Sequence, residues 1–266
     1  MHRGSARRDV LWIAAVGLLA TVVLGGCAEL PKSAIRQIEQ ANEAYRVGQY
    51  AEAERWATQA IAEHPSHSDV AEALYLRGLS RLRLGRRGEA RSDCEEALAL
   101  CKRHTLAGLL HVQLGHLDFQ DGRYGRAAGR YRQALADLPR ASRSDEFRYR
   151  YGQSLQRSGR FAEANAVFRR VLAEHPSSRY AVMARRKVAW PHSYFAIQCG
   201  AYSDRSRAGT AADVLRRRGI TSVTVRRTDS TSAPYVVHAG RYGAYSAAAA
   251  ALQSIRSVQR DAFVVP

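Results

Sequence analysis

Val47-Gly48-Gln49-Tyr50-Ala51-Glu52-Ala53 is followed by three further versions of itself: Leu84-Gly85-Arg86-Arg87-Gly88-Glu89-Ala90, Asp121-Gly122-Arg123-Tyr124-Gly125-Arg126-Ala127 and Ser158-Gly159-Arg160-Phe161-Ala162-Glu163-Ala164. The four glycines Gly48, Gly85, Gly122 and Gly159 stand 37 residues apart. The pattern extends outward from them. Seven residues before each glycine is a small residue: Ala41, Gly78, Gly115 or Gly152. Twelve after it come Ala60, Ala97, Ala134 and Val171. Seventeen after it come Pro65, Pro139 and Pro176, with Lys102 as the exception. Self-similarity at a fixed period of this length is the mark of a stacked repeat.

Each position has a physical role. A glycine in the left-handed conformation ends one helix and allows a tight turn. The aromatic two residues later (Tyr50, Tyr124, Phe161, but Arg87 in the second unit) opens the next helix and packs back on the first. Small residues seven before and five after the glycine let paired helices approach closely. The proline cannot continue the second helix. The spacing therefore predicts four helical hairpins between about Ala34 and Pro176. A capping helix follows from Ser178 to Trp190, with Tyr180, Ala184 and Val188 on one face.

This pattern resembles the tetratricopeptide (TPR) repeat, in which helical hairpins stack into a superhelix. The family unit is 34 residues, so about three more fall in each inter-repeat turn. The first unit also departs from the family at Ala57, where a bulky residue usually fills the second helix. The resemblance implies a concave groove lined by the first helix of each unit. Mapped onto this chain, the groove positions are Asn42, Arg46, Tyr75, Arg83, His116, Gln120, Tyr149, Gln153 and Arg157. The expected occupant is a protein or peptide partner, which the sequence does not name.

The amino terminus has a different texture. Arg3, Arg7 and Arg8 precede an apolar run from Val10 to Leu24, then Gly25, Gly26 and Cys27. A cationic stretch, a short apolar stretch and small residues before a cut describe a secretory signal. With cysteine at the cut, it resembles a bacterial lipoprotein lipobox, and Arg7-Arg8 also invites a twin-arginine export reading. The resemblance implies removal of residues 1–26, lipidation of Cys27, a tether over 27–33 and attachment to a membrane through the lipid. Ala28 rather than aspartate favours the outer membrane, with the chain facing the periplasm and the inner membrane as the other option. The net charge of +17 is then not read as a nucleic-acid footprint. It reflects either arginine-rich coding, since Lys occurs only at 32, 102 and 187, or attraction to anionic envelope polymers. Cys94, Cys101 and Cys199 show no metal spacing and read as buried small apolar residues.

Past Trp190-Pro191 the helical period gives way to short β-branched and aromatic runs. Residues 194–202 read as a strand, 205–217 as a helix, 221–226 as a strand, 235–242 as a strand, then an alanine-rich helix to Ile255 and a last strand at 262–265. The order βαββαβ repeats a strand-Gly-x-Tyr unit at Gly200-Ala201-Tyr202 and Gly240-Arg241-Tyr242. Strand alternation sends Phe195, Ile197, Cys199, Tyr235, Val237 and Ala239 toward the helices. It sends Tyr194, Ala196, Gln198, Val236 and His238 to the opposite face, joined by Thr224 and Arg226.

These motifs, over residues 192–266, closely resemble the SPOR (sporulation-related repeat) domain. The fold class expected is thus multidomain: an all-α TPR superhelix over 34–190, followed by a small α+β, ferredoxin-like SPOR domain. The resemblance implies binding of peptidoglycan glycan strands stripped of stem peptides on the open sheet face. The expected glycan contacts are Tyr194, Gln198, Tyr202, Thr224, Arg226, His238 and Tyr242. Tyr202 and Tyr242 are assigned equally to sugar stacking and to packing at the sheet edge. The family often carries arginine where this chain has Val236. No phosphate loop, nucleophile elbow or HExxH motif occurs, so no enzyme activity and no cofactor are expected. His64 and His67 lack further ligands, so no metal is expected. The expected role is an envelope tether in cell division or wall organisation. The alternative is a scaffold for outer-membrane protein assembly or secretion, with SPOR as a passive wall anchor.

Overall fold

The computed structural model describes residues 29–139 and 144–266, so the signal segment and Cys27 lie outside the described residues. Four hairpins form in sequence: α1 (Lys32–Arg46) with α2 (Tyr50–Glu63), α3 (Val70–Arg83) with α4 (Arg87–Leu100), α5 (His104–Gln120) with α6 (Tyr124–Asp137), and α7 (Ser144–Arg157) with α8 (Phe161–Glu174). Gly48, Gly85, Gly122 and Gly159 sit at the turns with φ between +74° and +87°, a region that any side chain would strain. Two of the opening aromatics pack back as expected: Tyr50 lies 5.5 Å from Tyr45, and Tyr124 lies 5.2 Å from Phe119.

The small residues are complemented across each hairpin. Ala53, Ala90, Ala127 and Ala164 are fully buried. A Cβ added at Gly152 would come 2.6 Å from the Phe168 ring, one at Gly115 would come 3.1 Å from Tyr131, and one at Gly78 would come 3.3 Å from the Cys94 sulfur. The residue nine after each turn glycine thus fills the space left by the residue seven before it. In the first unit that pair is Ala41 and Ala57, both buried, so the small Ala57 faces a residue that already has a methyl group.

Within and between hairpins the contacts are polar as well as apolar. Buried Asp93 of α4 accepts from Arg77 Nη2 at 2.7 Å and Arg81 Nη1 at 2.9 Å, both on α3. Arg81 continues to Glu54 of α2 at 2.9 Å. Buried Asp118 of α5 repeats the device, accepting from Arg91 at 3.0 Å and Arg123 at 2.9 Å. Arg77, Arg81 and Arg91 therefore join helices.

The cap is α9 (Arg179–Val188), with Tyr180, Ala181 and Ala184 buried against the last hairpin. Ser178 Oγ opens it by accepting the Tyr180 N–H at 3.1 Å.

The second unit follows: β1 (Phe195–Tyr202), α10 (Arg205–Arg217), β2 (Thr224–Arg227), β3 (Tyr235–Tyr242), α11 (Tyr245–Arg256) and β4 (Phe263–Val265). The strands form one antiparallel sheet in the order β2-β3-β1-β4. Strand β2 starts three residues later than the sequence reading, because Ser222 adopts φ +56° and breaks the extended run. Ile197, Cys199, Val237 and Ala239 form a core with Ala208, Ala212 and Leu215 of α10 and Ile255 of α11. Burial pushes the free thiols of Cys94 and Cys199 up to about 12 and about 11, so neither is poised as a thiolate.

The two units are docked. Phe161 at the start of α8 packs on Phe195 of β1 at 5.0 Å. Tyr245 of α11 meets Tyr124 at 5.8 Å and lies under the Arg157 guanidinium at 4.1 Å. A Cβ at Gly159 would come 2.7 Å from the Gly243 carbonyl oxygen, so that turn must be bare.

Candidate functional site

Two surfaces carry recognition chemistry. The first is the sheet face turned away from α10 and α11. Gln198 and His238 are direct cross-strand partners, as are Arg226 and Val236, and Thr224 pairs with His238. The pseudo-symmetry read from the two turn glycines therefore places Gln198, Thr224, Arg226, Val236 and His238 on one face. Arg226 stands beside Val236 on the neighbouring strand, so a guanidinium still occupies the area where the family often has arginine.

This face is not open. Trp190, just past α9, reaches over it, 5.5 Å from His238 and 5.7 Å from the Arg226 guanidinium. His238 and Val236 are consequently each only 7% exposed. Burial, and then the charges of Arg226 and His192, push the His238 imidazole down to about 4. It is neutral at ordinary pH and shapes the floor of a groove rather than projecting from a surface. Ala196 is also buried. Tyr194 stacks on His192 at 4.6 Å and carries the Arg241 guanidinium at 5.4 Å.

Tyr202 and Tyr242 are corrections. Both pack into the core on the helix side. The cause is a pair of irregularities in the β1–β3 register, one beside Gly200 and one at Gly240, where φ is +73°. Each bulge adds a residue and shifts the alternation, so the tyrosine that follows changes face. Each ring then folds over its own glycine: a Cβ at Gly200 would come 2.6 Å from the Tyr202 hydroxyl, and one at Gly240 within 3.0 Å of the Tyr242 ring atoms. Of the two assignments left open for these residues, packing is the one realised.

The second surface is the helical groove. Asn42, Arg46, Arg83 and Gln120 are exposed, and His116 and Gln153 are half-buried. A cavity of about 500 Å³ is lined by His116 and Gln120, with Gln113, Tyr131, Glu146 and Arg150, which the sequence reading omitted. Gln113 and Arg150 lie one turn before residues that were chosen, on the same helices, so helical spacing was the signal available. The fully buried Tyr131 hydroxyl and Arg150 Nε have no hydrogen-bond partner.

Two groove assignments change, while Tyr75 stays half-buried like His116 and Gln153. Tyr149 is 3% exposed, held 5.6 Å from both Phe168 and Tyr180 inside the last hairpin and cap. Tyr75 is half-buried against the core, and burial pushes its phenol up to about 12 although the Gln113 side chain works the other way. Arg157 sits among Phe119, Tyr124 and Tyr245, so the second unit occupies the groove end that this residue was expected to offer.

Among the described residues, no group of three or more His, Cys, Asp or Glu side chains is placed to hold a metal ion. No helix among them is long and apolar enough to cross a membrane.

A stack of helical hairpins docked to a four-stranded α+β unit defines a protein with two recognition modules. Residues 38–103 and 118–187 match tetratricopeptide-repeat families, and residues 191–266 match the SPOR domain. The chain thus carries tetratricopeptide-repeat segments followed by a C-terminal SPOR domain. TPR arrays mediate protein interactions, and SPOR domains bind peptidoglycan. No curated protein sequence matches the chain. The repeats are similar in fold to YrrB, a TPR protein with an unusual peptide-binding site, at 22% identity and TM-score 0.51, covering 58% of this chain and 74% of that one. They are also similar to a MamA double mutant from RS-1, at 15% identity and TM-score 0.51, covering 61% and 84%. A tetratricopeptide repeat protein from Parabacteroides merdae matches at 19% identity and TM-score 0.51, covering 59% of each chain.

Proposed function

We propose that this protein is a lipid-anchored envelope scaffold that binds glycan strands stripped of stem peptides and recruits a protein partner. The observation that carries the reading is the convergence of Gln198, Arg226 and neutral His238 in one groove on the sheet face of the SPOR domain. An amide and a guanidinium suit the N-acetyl groups and carboxylates of such a glycan. The amides of Gln113 and exposed Gln120 at the helical cavity suit the backbone of a bound peptide. Both modules act by binding, and the place of action is cell division or wall organisation at the outer membrane.

The test is co-sedimentation of the purified protein with sacculi, with and without prior amidase treatment. Wild type should pellet preferentially with amidase-treated sacculi. Gln198→Glu should bind about tenfold to a hundredfold more weakly, from loss of an amide donor and repulsion of sugar carboxylates worth about 1–3 kcal/mol. Its circular dichroism should be unchanged, since Gln198 is only partly buried and faces away from the core. Equal binding by wild type and variant would remove the sheet face as the glycan site.

The lipid anchor has its own test. Cys27→Ser offers no thiol for acylation, so the chain should accumulate as an unprocessed precursor. A variant that still appears at mature size in the outer membrane would refute the lipobox reading.

A further inference from the structure

The groove over the sheet has two walls, and they belong to different domains. One is the sheet, with Gln198, Arg226 and Val236. The other is the end of the repeat domain, with Arg186 of α9 and Trp190. The space between them is about 450 Å³, a size typical of small-ligand pockets. Trp190 is fixed there: its indole Nε1–H donates to the Tyr194 carbonyl oxygen at 2.8 Å, and its ring meets His192 edge-on at 5.1 Å. The helix behind it is fastened too, since Lys187 Nζ donates to the Pro266 carbonyl oxygen at 2.5 Å. Arg186 and Arg226 line the groove together with Asp229. Arg186 is exposed, so its charge is available to a ligand.

We propose that peptidoglycan is held in a groove built by both domains, with Trp190 of the repeat domain as the wall for a sugar ring and Arg186 and Arg226 as the site for glycan carboxylates. This rests on the peptidoglycan reading and deepens it. The ligand class is an N-acetylated sugar chain whose rings carry free carboxylates, the form exposed when stem peptides are removed. An aromatic ring provides an apolar platform for a pyranose face, and arginine forks match carboxylate geometry. One consequence concerns the partner groove: a glycan bridging both walls strengthens the docking of the two domains, which fixes the orientation of the helical groove relative to the wall.

The experiment titrates the purified protein with soluble glycan strands from amidase-treated sacculi and, separately, with chitin oligosaccharides. The latter have the same ring and N-acetyl group but no carboxylate. Wild type should prefer the carboxylated strands by about tenfold. Trp190→Ala should weaken binding of both ligands by about tenfold, and Trp190→Phe, which keeps an aromatic wall, should stay within about threefold of wild type. Arg186→Gln, on an exposed side chain, should shrink the preference for carboxylated strands without moving the thermal melt. Wild-type affinity in Trp190→Ala, or an intact preference in Arg186→Gln, would overturn the two-domain groove while leaving SPOR-mediated binding in place. A wild-type protein that binds neither ligand overturns the peptidoglycan reading itself, and the groove's ligand class with it.

Discussion

Asp93→Ala should destabilise the helical repeats by about 3–5 kcal/mol, the usual cost of removing one partner from a buried ion pair. Asp93 is 2% exposed, and it takes four hydrogen bonds of 3.1 Å or less, two from Arg77 and two from Arg81. Arg81 would keep Glu54, but Arg77, whose side chain is 14% exposed, would lose the carboxylate that compensates its charge. The cost therefore falls on Arg77. For a chain of this size, 3–5 kcal/mol corresponds to a fall in melting temperature on the order of 10 °C. Replacing the cluster as a unit, with Arg77→Met, Arg81→Met and Asp93→Leu together, should recover much of that loss, because no charge is then left unpaired. A single variant that melts within 2 °C (~0.5–1 kcal/mol) of wild type would mean that the network contributes nothing.

Phe168→Ala should cost about 3–5 kcal/mol as well, by a different route. The Phe168 ring is fully buried and lies where a Cβ on Gly152 would stand. Neither neighbouring backbone can collapse into the space, because the hairpin is fixed at its turn by Gly159 and packed outside by Tyr149 and Tyr180. The reverse substitution tests the same fit. Gly152→Ala should destabilise by about 1–3 kcal/mol through overpacking. In a Phe168→Leu background the same change should cost less, since the obstructing ring is gone. A double-mutant cycle in urea measures this, and strict additivity would show that the two positions do not share one space.

The fold was legible because its determinants are local and repeated. A glycine at +74° to +87° in every turn, an aromatic two residues on, and small residues at fixed offsets all lie within one hairpin. The complementarity of Gly152 with Phe168 and of Gly115 with Tyr131 was also written in the sequence, as one small and one large residue sixteen apart. Strand alternation assigned Gln198, Thr224, Arg226 and His238 to one face correctly, because the register holds between the bulges. It failed at Tyr202 and Tyr242 because one extra residue in a strand reverses every later side chain. Neither bulge leaves a signature beyond glycine.

What the sequence by itself determined is the identity of the two modules, their order, the turn positions and most of the residues on the sheet face turned away from the helices. Only the tertiary structure decided that the modules dock, that Trp190 crosses from one to cover the other, and that Arg157 and Tyr149 are taken from the helical groove. The physical reason is range. Periodicity and alternation report forces between residues a few positions apart. The contact of Trp190 with His238, or of Tyr124 with Tyr245, depends on the summed geometry of the hairpins and strands between them, which no local pattern encodes.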